Sequence, residues 1–396
     1  MRFATVEKPD KVPFRGFRGF RGLDYLIYIF NFEPRKYIRM KKLHILLLLL
    51  FLGANITVHS QKFVWKAGLH SFFDNNEFSG SEVQISQTMA GVHVAPQIGL
   101  SFNDKHLAFV GVDVMHEFGS NEAISFYDAI AYYQYDSEPF TFYMGAFPRK
   151  SLLDHYPRMF FNDSINNYRP TMNGLFWEYR SQKDDYLNVW LDWTGRQTTK
   201  VNEAFFMGWS GRYNLGVFYG QHLGYMYHFA AKLNPEIPEG LHDNGLTLTS
   251  VGVDFASKTN FEKLGINAGW SVALERDRSL GDWHAQQGFL SELNVEYKGL
   301  GLFNTLYLGN KQQLFFNDHG NKLYWGDRMY QLKQYNRTDF YICFFKTDAV
   351  DVRLTYSLHF AESNIFHSQA LYARFNLDNL PKKKHKSYEY IWSNWF

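Results

Sequence analysis

From Gln61 onward, apolar and polar residues alternate along the chain in many separate stretches. Between Leu264 and Leu274, for example, every second residue is Leu, Ile, Ala, Trp or Val, and the residues between them are Gly, Asn, Ser or Ala. Successive side chains of a β-strand point to opposite faces, so such a strand has one face suited to lipid and one suited to water. A tilted strand of about 9 to 11 residues crosses a bilayer, and these stretches have that length. The pattern therefore predicts transmembrane strands.

The connections between these stretches alternate between short and long, which is typical of an outer-membrane barrel with periplasmic turns and outer loops. We predict an all-β fold, a single transmembrane antiparallel up-and-down β-barrel of about 16 strands, because such barrels have an even strand number. A soluble β-sandwich also alternates apolar and polar residues. The segment from Tyr225 to Leu233 is an alternative extra strand, so a barrel of 18 strands stays open. The predicted strands are 63–73, 92–102, 106–116, 124–135, 139–147, 174–181, 186–194, 204–211, 213–221, 248–256, 263–275, 286–298, 301–309, 338–346, 350–360 and 367–377.

Composition supports strands over helices. Aromatic residues make up 19% of the 396 residues, and they fit a pleated surface well. The mean hydropathy of −0.35 excludes a bundle of membrane helices but not a barrel, in which only alternate residues are apolar. The single cysteine, Cys343, excludes a disulfide scaffold.

Residues 40–60 have the pattern of a secretory signal peptide. Met40 and two lysines precede an apolar run, and small and polar residues follow it, so we predict cleavage near Ser60. A single membrane anchor is the alternative, for which the run is too short. Residues 1–39 then form a mis-assigned upstream extension. Without residues 1–60 the chain has 30 basic and 35 acidic residues, so no nucleic acid is expected as a partner.

In its organisation, residues 61–377 resemble the porins, outer-membrane β-barrels of Gram-negative bacteria. The resemblance implies that the protein lies in the outer membrane and contacts its lipid. A homo-trimer is among the assemblies that the resemblance allows. The resemblance also implies that the third outer loop, residues 148–173, folds into the lumen and narrows the pore. The charged residues of that pore constriction loop are Arg149, Lys150, Asp154, Arg158, Asp163 and Arg169.

Alternation places further charged side chains on the lumen face. Their mixed signs predict weak selectivity, because rings of one charge set the ion preference of a pore. We therefore predict a porin-like channel for passive or weakly selective passage of small polar solutes, including carbohydrates. No metal or cofactor is expected, because the sequence has no paired ligand spacing and no phosphate-binding loop. The predicted pore-lining residues are Asp192, Glu275, Glu292, Glu296, Asp351, Arg353 and Arg374.

Two other functions stay open. The first is a non-conducting barrel that anchors or assembles surface polysaccharide or protein. The second is a lipid hydrolase, for which Ser357 and His359 lie two apart on one strand face near Asp351, and His367 and Ser368 begin the final strand. A hydrolase needs a nucleophile, a base and an orienting acid within hydrogen-bond reach, and such coincidences are common in a barrel with many histidines. We predict a protein that is not an enzyme.

The outer loops contain aromatic residues that could stack on sugar rings: Trp283, Tyr324, Trp325 and Tyr330. The C-terminal segment 378–396 is basic and then aromatic. It is predicted to be either a periplasmic extension or a closing strand that ends at Phe396.

Overall fold

The computed structural model describes residues 61–234, 240–381 and 390–391. Within them, sixteen antiparallel strands form a closed barrel in which each strand pairs with its neighbours in sequence. The predicted extension 1–39 and signal peptide 40–60 lie outside the described residues. The strands are β1 (Gln61–Glu77), β2 (Gln87–Phe102), β3 (His106–Glu117), β4 (Phe126–Asp136), β5 (Phe140–Pro148), β6 (Thr171–Arg180), β7 (Tyr186–Gly195), β8 (Ala204–Leu215), β9 (Phe218–Phe229), β10 (His242–Asp254), β11 (Lys263–Asp277), β12 (His284–Tyr297), β13 (Leu300–Gly309), β14 (Gln334–Lys346), β15 (Val350–Ala361) and β16 (Asn364–Asp378).

The helices are short and lie in the connections. They are α1 (Ile165–Tyr168), α2 (Phe316–His319) and 3₁₀ turns at Ala256–Lys258, Gly320–Lys322 and Arg328–Gln331. Among the described residues, no helix has both the length and the apolar character needed to cross a membrane.

The barrel closes between its first and last strands. β1 pairs with β16 from Lys66 opposite Asp378 to Glu77 opposite His367. This confirms the sixteen-strand prediction and makes the eighteen-strand alternative wrong. The extra strand proposed from Tyr225 is the continuation of β9.

The C-terminal segment does not supply the closing strand, because β16 already completes the barrel. Of residues 382–396, the structure describes Tyr390 and Ile391. The Ile391 amide donates a hydrogen bond to the Lys298 carbonyl at 3.1 Å, and the Tyr390 hydroxyl contacts the Lys346 backbone. This part of the segment therefore lies against two periplasmic turns.

The alternation in sequence becomes an outward apolar face and an inward polar face. On β11, Ile266, Trp270 and Leu274 are exposed on the outside of the barrel, while Ser271 and Glu275 are buried inside. An outward apolar surface around a closed barrel leaves no unpaired strand edge, which a membrane requires. The fold is the single closed, antiparallel, up-and-down β-barrel that the sequence predicts.

One predicted long connection is wrong. Residues 361–366 were expected to form an outer loop, but β15 and β16 are joined by Glu362 and Ser363 alone. Both residues have positive φ, at 54° and 62°, which suits a tight hairpin turn whose twist matches the strands. Two-residue turns of this kind favour Asn, Asp and Gly, so Glu362 and Ser363 do not predict one.

Two outer loops fold into the lumen. We call residues 149–170, between β5 and β6, loop L3, and residues 310–333, between β13 and β14, loop L7. Phe161 of L3 and Trp325 of L7 pack against Phe206 of the wall, with ring centroids 5.9 and 4.7 Å from the Phe206 centroid. Tyr227 stacks on Phe206 at 3.9 Å. Aromatic packing of this kind fills the lumen next to β7–β10.

If the outward face contacts lipid, a charged side chain on it should lower the stability of the barrel. Phe340 lies near the middle of β14 and is 47% exposed on the outside. Phe340→Arg is expected to lower the free energy of unfolding in lipid vesicles by about 2–4 kcal/mol, the cost of Arg at the bilayer midplane. Phe340→Leu keeps an apolar outward side chain and serves as the control in a urea titration. Equal stability of the two variants would show that this face does not contact lipid.

Candidate functional site in the lumen

Ion pairs hold loop L3 against the wall. Arg149, at the start of the loop, pairs with Asp192 of β7, and both side chains are almost completely buried. Further along, Arg158 donates to Asp339 of β14 at 2.7 Å. A buried pair is strongly destabilised when one partner is removed, so these contacts fix the position of the loop.

The β14 partners of L3 were missed from the sequence. Arg337 binds Asp163 of L3 at 2.8 Å and its own neighbour Asp339 at 2.7 Å. The predicted strand began at residue 338, whereas β14 begins at Gln334. Alternation over the correct span places Arg337 and Asp339 on the lumen face, so the signal was present but the strand was predicted too short.

Loop L7 is anchored by a single carboxylate. Glu275 of β11 accepts hydrogen bonds from the amides of Gln313 and Leu314, at 3.2 and 3.0 Å, and from the Tyr324 hydroxyl at 2.6 Å. Glu275 was predicted to line the pore, but L7 covers it and leaves it 2% exposed. Its side chain points inward, and its charge serves to hold the loop.

The two loops also bind each other. The Asn162 amide of L3 donates to the Trp325 carbonyl, and the Asp327 amide of L7 donates to the Arg158 carbonyl, both at 2.8 Å. Gly326 lies so close to L3 that a Cβ there would be 2.1 Å from the Met159 carbonyl oxygen. Any other residue at this position would force the loops apart.

A cavity of about 870 Å³ remains between these loops and strands β1, β15 and β16. All six charged residues predicted for the constriction loop line it, together with Glu292, Arg353 and Arg374. Asp192, Glu275, Glu296 and Asp351 are not among its lining residues in the described part of the chain. Alternation identifies the face that a side chain occupies, but it does not show which other segment covers that face.

The aromatic residues of L7 are not available to stack on sugars. Tyr324, Trp325 and Tyr330 are at most 3% exposed, because they pack the loop into the barrel. Trp283 is 53% exposed, but it lies in the connection between β11 and β12. The interpretation of three of these four rings as a sugar-binding platform is wrong.

The side of the cavity formed by β15 and β16 is rich in cations. The Arg374 guanidinium carbon lies 4.3 Å from the centre of the Tyr372 ring, and the Lys150 ammonium lies 5.8 Å from it. Arg353 stacks at 3.6 Å on Tyr341. The nearest acid to Arg374 is Asp351, at 4.0 Å. This side of the cavity therefore favours anions.

A serine and a histidine contact each other nearer the outer end of the same cavity. Nε2 of His359 lies 2.9 Å from the Ser368 hydroxyl, and Nδ1 lies 2.7 Å from the Tyr335 hydroxyl. Both His359 and Ser368 line the cavity. The three groups come from three adjacent strands, β14, β15 and β16.

This pairing differs from the one considered from the sequence, which joined Ser357 to His359 near Asp351. Residues two apart on a strand are separated by about 6.6 Å, so side chains across neighbouring strands make the closer contact. Ser357 instead accepts a hydrogen bond from Arg337 at 3.2 Å. Tyr335 was missed because it precedes the predicted start of β14.

A second serine–histidine pair is structural. Nε2 of His155 lies 2.7 Å from the Ser210 hydroxyl, which donates its proton to Asn188 at 2.9 Å. Because the Ser210 hydroxyl donates its proton to Asn188, it can only accept a hydrogen bond from His155. His155 is therefore the donor in this pair. Ser210 is fully buried and does not line the cavity, so a substrate has no access to it.

Among the described residues, no three His, Cys, Asp or Glu side chains group closely enough to hold a metal ion. The side chains around His359 supply hydroxyl, imidazole and guanidinium groups.

The family profile described as Lipid A 3'-O-deacylase-type matches residues 58–384, more than half of the chain. This chain belongs to that family. The prediction that the protein is not an enzyme is wrong, because the family is that of a deacylase. No curated protein matches the chain in sequence.

Solved structures similar to this deacylase-family chain are outer-membrane proteins. The loop L8 deletion mutant of OmpT from Vibrio cholerae has a TM-score of 0.47 and 9% identity, covering 81% of this chain and 100% of its own. Salmonella typhi OmpF in complex with daunomycin has a TM-score of 0.47 and 10% identity, covering 81% and 98%. Pseudomonas aeruginosa OccK2 in complex with glucuronate has a TM-score of 0.46 and 9% identity, covering 81% and 99%. At these values no functional property is transferred.

The anchoring of L3 in this deacylase-family barrel predicts a pH dependence. Burial acts to raise the pKa of Asp163, but the guanidinium groups of Arg158 and Arg337 outweigh it and lower the pKa from 3.8 to about 2. A carboxylate with a lowered pKa stabilises the fold above its unfolded pKa, and this contribution is lost as the pH falls through the folded value. Exchange of L3 backbone amides, corrected for the intrinsic rate, should therefore rise between pH 3.8 and about pH 2.

The matched variants are Asp163→Asn and Asp154→Asn. The first should show raised exchange in L3 already at neutral pH and no further rise across this window. Asp154 accepts hydrogen bonds from Ser151 and Asn166, and neither is a guanidinium group. Asp154→Asn should therefore retain the wild-type pH dependence of amide exchange. A flat profile in the wild type would contradict the assigned role of Asp163.

Proposed function

We propose that this protein hydrolyses an ester-linked acyl chain of a lipid A-type glycolipid in the outer leaflet of the outer membrane. The observation that carries the proposal is the contact of His359 with both Ser368 and Tyr335 in the wall of the cavity. A hydroxyl nucleophile, an imidazole base and a third group that orients the base form the arrangement that acyl transfer requires. The family name supports the same reaction.

The reaction proceeds in two steps. His359 Nε2 accepts the Ser368 hydroxyl proton as the serine oxygen attacks the ester carbonyl carbon. The intermediate collapses, the bond to the sugar oxygen breaks, and His359 returns the proton to that oxygen. Water then attacks the acyl-serine ester with His359 as base, which releases the fatty acid and restores Ser368.

Tyr335 positions the base. Only the imidazole tautomer with its proton on Nδ1 leaves Nε2 free to accept from Ser368. In that tautomer Nδ1 donates to the Tyr335 hydroxyl, 2.7 Å away. The tyrosine oxygen accepts that proton and so orients the imidazole, the place that a carboxylate takes in other triads.

A positive charge lies next to the nucleophile. Ser357 is directly opposite Ser368 in the strand register, and it accepts a hydrogen bond from the Arg337 guanidinium. Negative charge develops on the carbonyl oxygen in the transition state, and a fixed donor in a site with little water stabilises it strongly. Arg337 is held for this role by Asp339 and Asp163.

The site lies toward the outer end of the barrel. His359 is two residues before the end of β15, and Ser368 is four residues after the start of β16. At about 3.3 Å per residue these positions are about 7 and 13 Å below the hairpin turn, in the outer half of the membrane. Phe78 packs edge-on to His359 at 4.9 Å and lies 5.6 Å from Phe366. Both rings are buried, so they make the surroundings of His359 apolar.

Substitution of the nucleophile tests this proposal. Ser368→Ala should lower the release of fatty acid from a purified lipid A-type glycolipid by about 10⁶-fold, the cost of removing the nucleophile of a serine hydrolase. Ser210→Ala is the matched control, because it also removes a serine that contacts a histidine, and it should retain full activity. Full activity of Ser368→Ala would contradict the proposal, whatever the activity of Ser210→Ala.

A second function is favoured by the extent of the cavity. We propose that small polar solutes also pass through the lumen, as in porin-like channels. The lining residues on β16 run from Ser368 to Arg374, six residues along the strand or about 20 Å. Because strands of such barrels are tilted by about 40°, this is about 15 Å along the membrane normal, or about half of a hydrocarbon core of about 30 Å. Assembly as a homo-trimer is part of the same proposal.

Conductance in planar bilayers tests this second function. Open events are expected, and Arg353→Gln with Arg374→Gln should shift the reversal potential toward cation preference, because both cations face the cavity. Lys62→Gln removes a cation at the periplasmic rim and serves as the control. A wild-type barrel that never conducts would leave the non-conducting alternative, and unchanged reversal potentials in the double variant would exclude these arginines from the pathway.

A further inference from the structure

A cluster of charged residues lies on the outside of the barrel at the outer ends of β10 and β11. Asp243 and Arg276 are opposite each other in the register. The inward neighbours Asn244 and Glu275 are only 2% exposed, so Asp243 and Arg276 point outward. The cluster is thus on the side of the wall away from the lumen site.

One carboxylate holds two guanidinium groups in this cluster. Asp243 accepts hydrogen bonds from Arg276 at 2.6 Å and from Arg278 at 2.9 and 2.7 Å. Two arginines against one aspartate leave a net positive charge. Both arginines keep exposed surface, with side chains 26% and 45% exposed. They can therefore accept an anion from outside the barrel.

Aromatic rings fix the level of the cluster in the membrane. Arg276 stacks at 4.4 Å on Trp283, which is 53% exposed. His228 is opposite Asp243 in the strand register. The centre of its ring lies 5.0 Å from the centre of the Phe205 ring, which in turn lies 5.0 Å from the centre of the Trp193 ring. Aromatic girdles mark the interface between hydrocarbon and headgroups in such barrels. The arginines are therefore at the height of lipid phosphates.

An apolar furrow runs directly below the arginines. Gly245 faces outward between Met226 and Leu274, its partners in the register, which are 41% and 46% exposed. A Cβ at Gly245 would have no neighbour nearer than the Tyr225 carbonyl oxygen, at 3.7 Å. The glycine thus leaves open space between two apolar side chains, along which an acyl chain can lie.

We propose that this cluster and furrow bind a phosphate-bearing lipid of the outer leaflet. The phosphate is bound by Arg276 and Arg278, since guanidinium groups bind phosphate through paired, charge-assisted hydrogen bonds. One acyl chain lies along Gly245. Three strands separate β11 from β15, so this site is distinct from the lumen site. The proposal goes beyond hydrolysis and does not depend on it.

Native mass spectrometry of the detergent-refolded protein tests the proposal. Ser368→Ala is the background, so that binding is measured without cleavage even if the proposed hydrolysis occurs. The probes are a phosphorylated lipid A-type glycolipid, the same glycolipid without phosphate, and inorganic phosphate. Arg276→Gln with Arg278→Gln should weaken binding of the phosphorylated glycolipid at least about tenfold, the effect of a lost charge-assisted hydrogen bond. The dephosphorylated glycolipid should bind the parent protein with a similarly reduced affinity.

Two control variants separate this site from general effects. Lys62→Gln with Lys105→Gln removes the same charge from the periplasmic rim, where both lysines are exposed, and should leave binding unchanged. Gly245→Leu fills the furrow and should weaken glycolipid binding, whereas Gly245→Ala should weaken it less. Heat-modifiable migration on a gel checks that each variant is a folded barrel.

Three results would overturn the proposal. The first is unchanged glycolipid binding in the arginine double variant. The second is equal binding with and without the lipid phosphate. The third is inorganic phosphate that binds as tightly as the phosphorylated glycolipid, which would make the cluster a simple ion site.

Discussion

The pairing of β1 with β16 is the constraint on which the rest of the molecule depends. In hydrocarbon every backbone donor and acceptor needs a partner, and only a closed barrel provides one for each strand. Closure creates an interior that lipid does not reach, and that interior can hold charged groups such as Arg337 and Asp339. In that interior, the register of the last hairpin sets Ser368 opposite Ser357, which places the proposed nucleophile beside its histidine. The chemistry of the lumen is thus a consequence of strand register.

The barrel itself was predictable because it follows from a local rule. Alternation along residues 264–274 requires only the period of the strand, and the structure reproduces it on β11. The contents of the lumen follow from no local rule. Glu275 is inward by alternation, yet its role depends on L7, which begins more than thirty residues later in the chain. Ser368 and His359 were both visible in the sequence, but their pairing depends on a register set by the two-residue turn at Glu362 and Ser363.

The two sides of the wall use charge differently. Inside, several ionised groups hold L3 and L7 in place, as Arg149 and Asp192 illustrate. The cations that remain on the cavity surface, Arg353 and Arg374, are packed on tyrosine rings. Outside, Asp243 orients two arginines without neutralising them. A barrel of this kind can therefore bind a lipid on its outer wall and act on a lipid or pass a solute within.

The contact of L3 with L7 also constrains the order in which the molecule assembles. L3 precedes β6, whereas its partners Trp325 and Asp327 directly precede β14, so the amide of Asn162 stays without its acceptor until almost the whole chain is in place. Gly326 lies within contact of the Met159 carbonyl, so the inner packing of the lumen needs both loops. A barrel that lacked its C-terminal strands would lack the inner packing of L3 as well, so a truncated chain would have an unfilled interior and no assembled site.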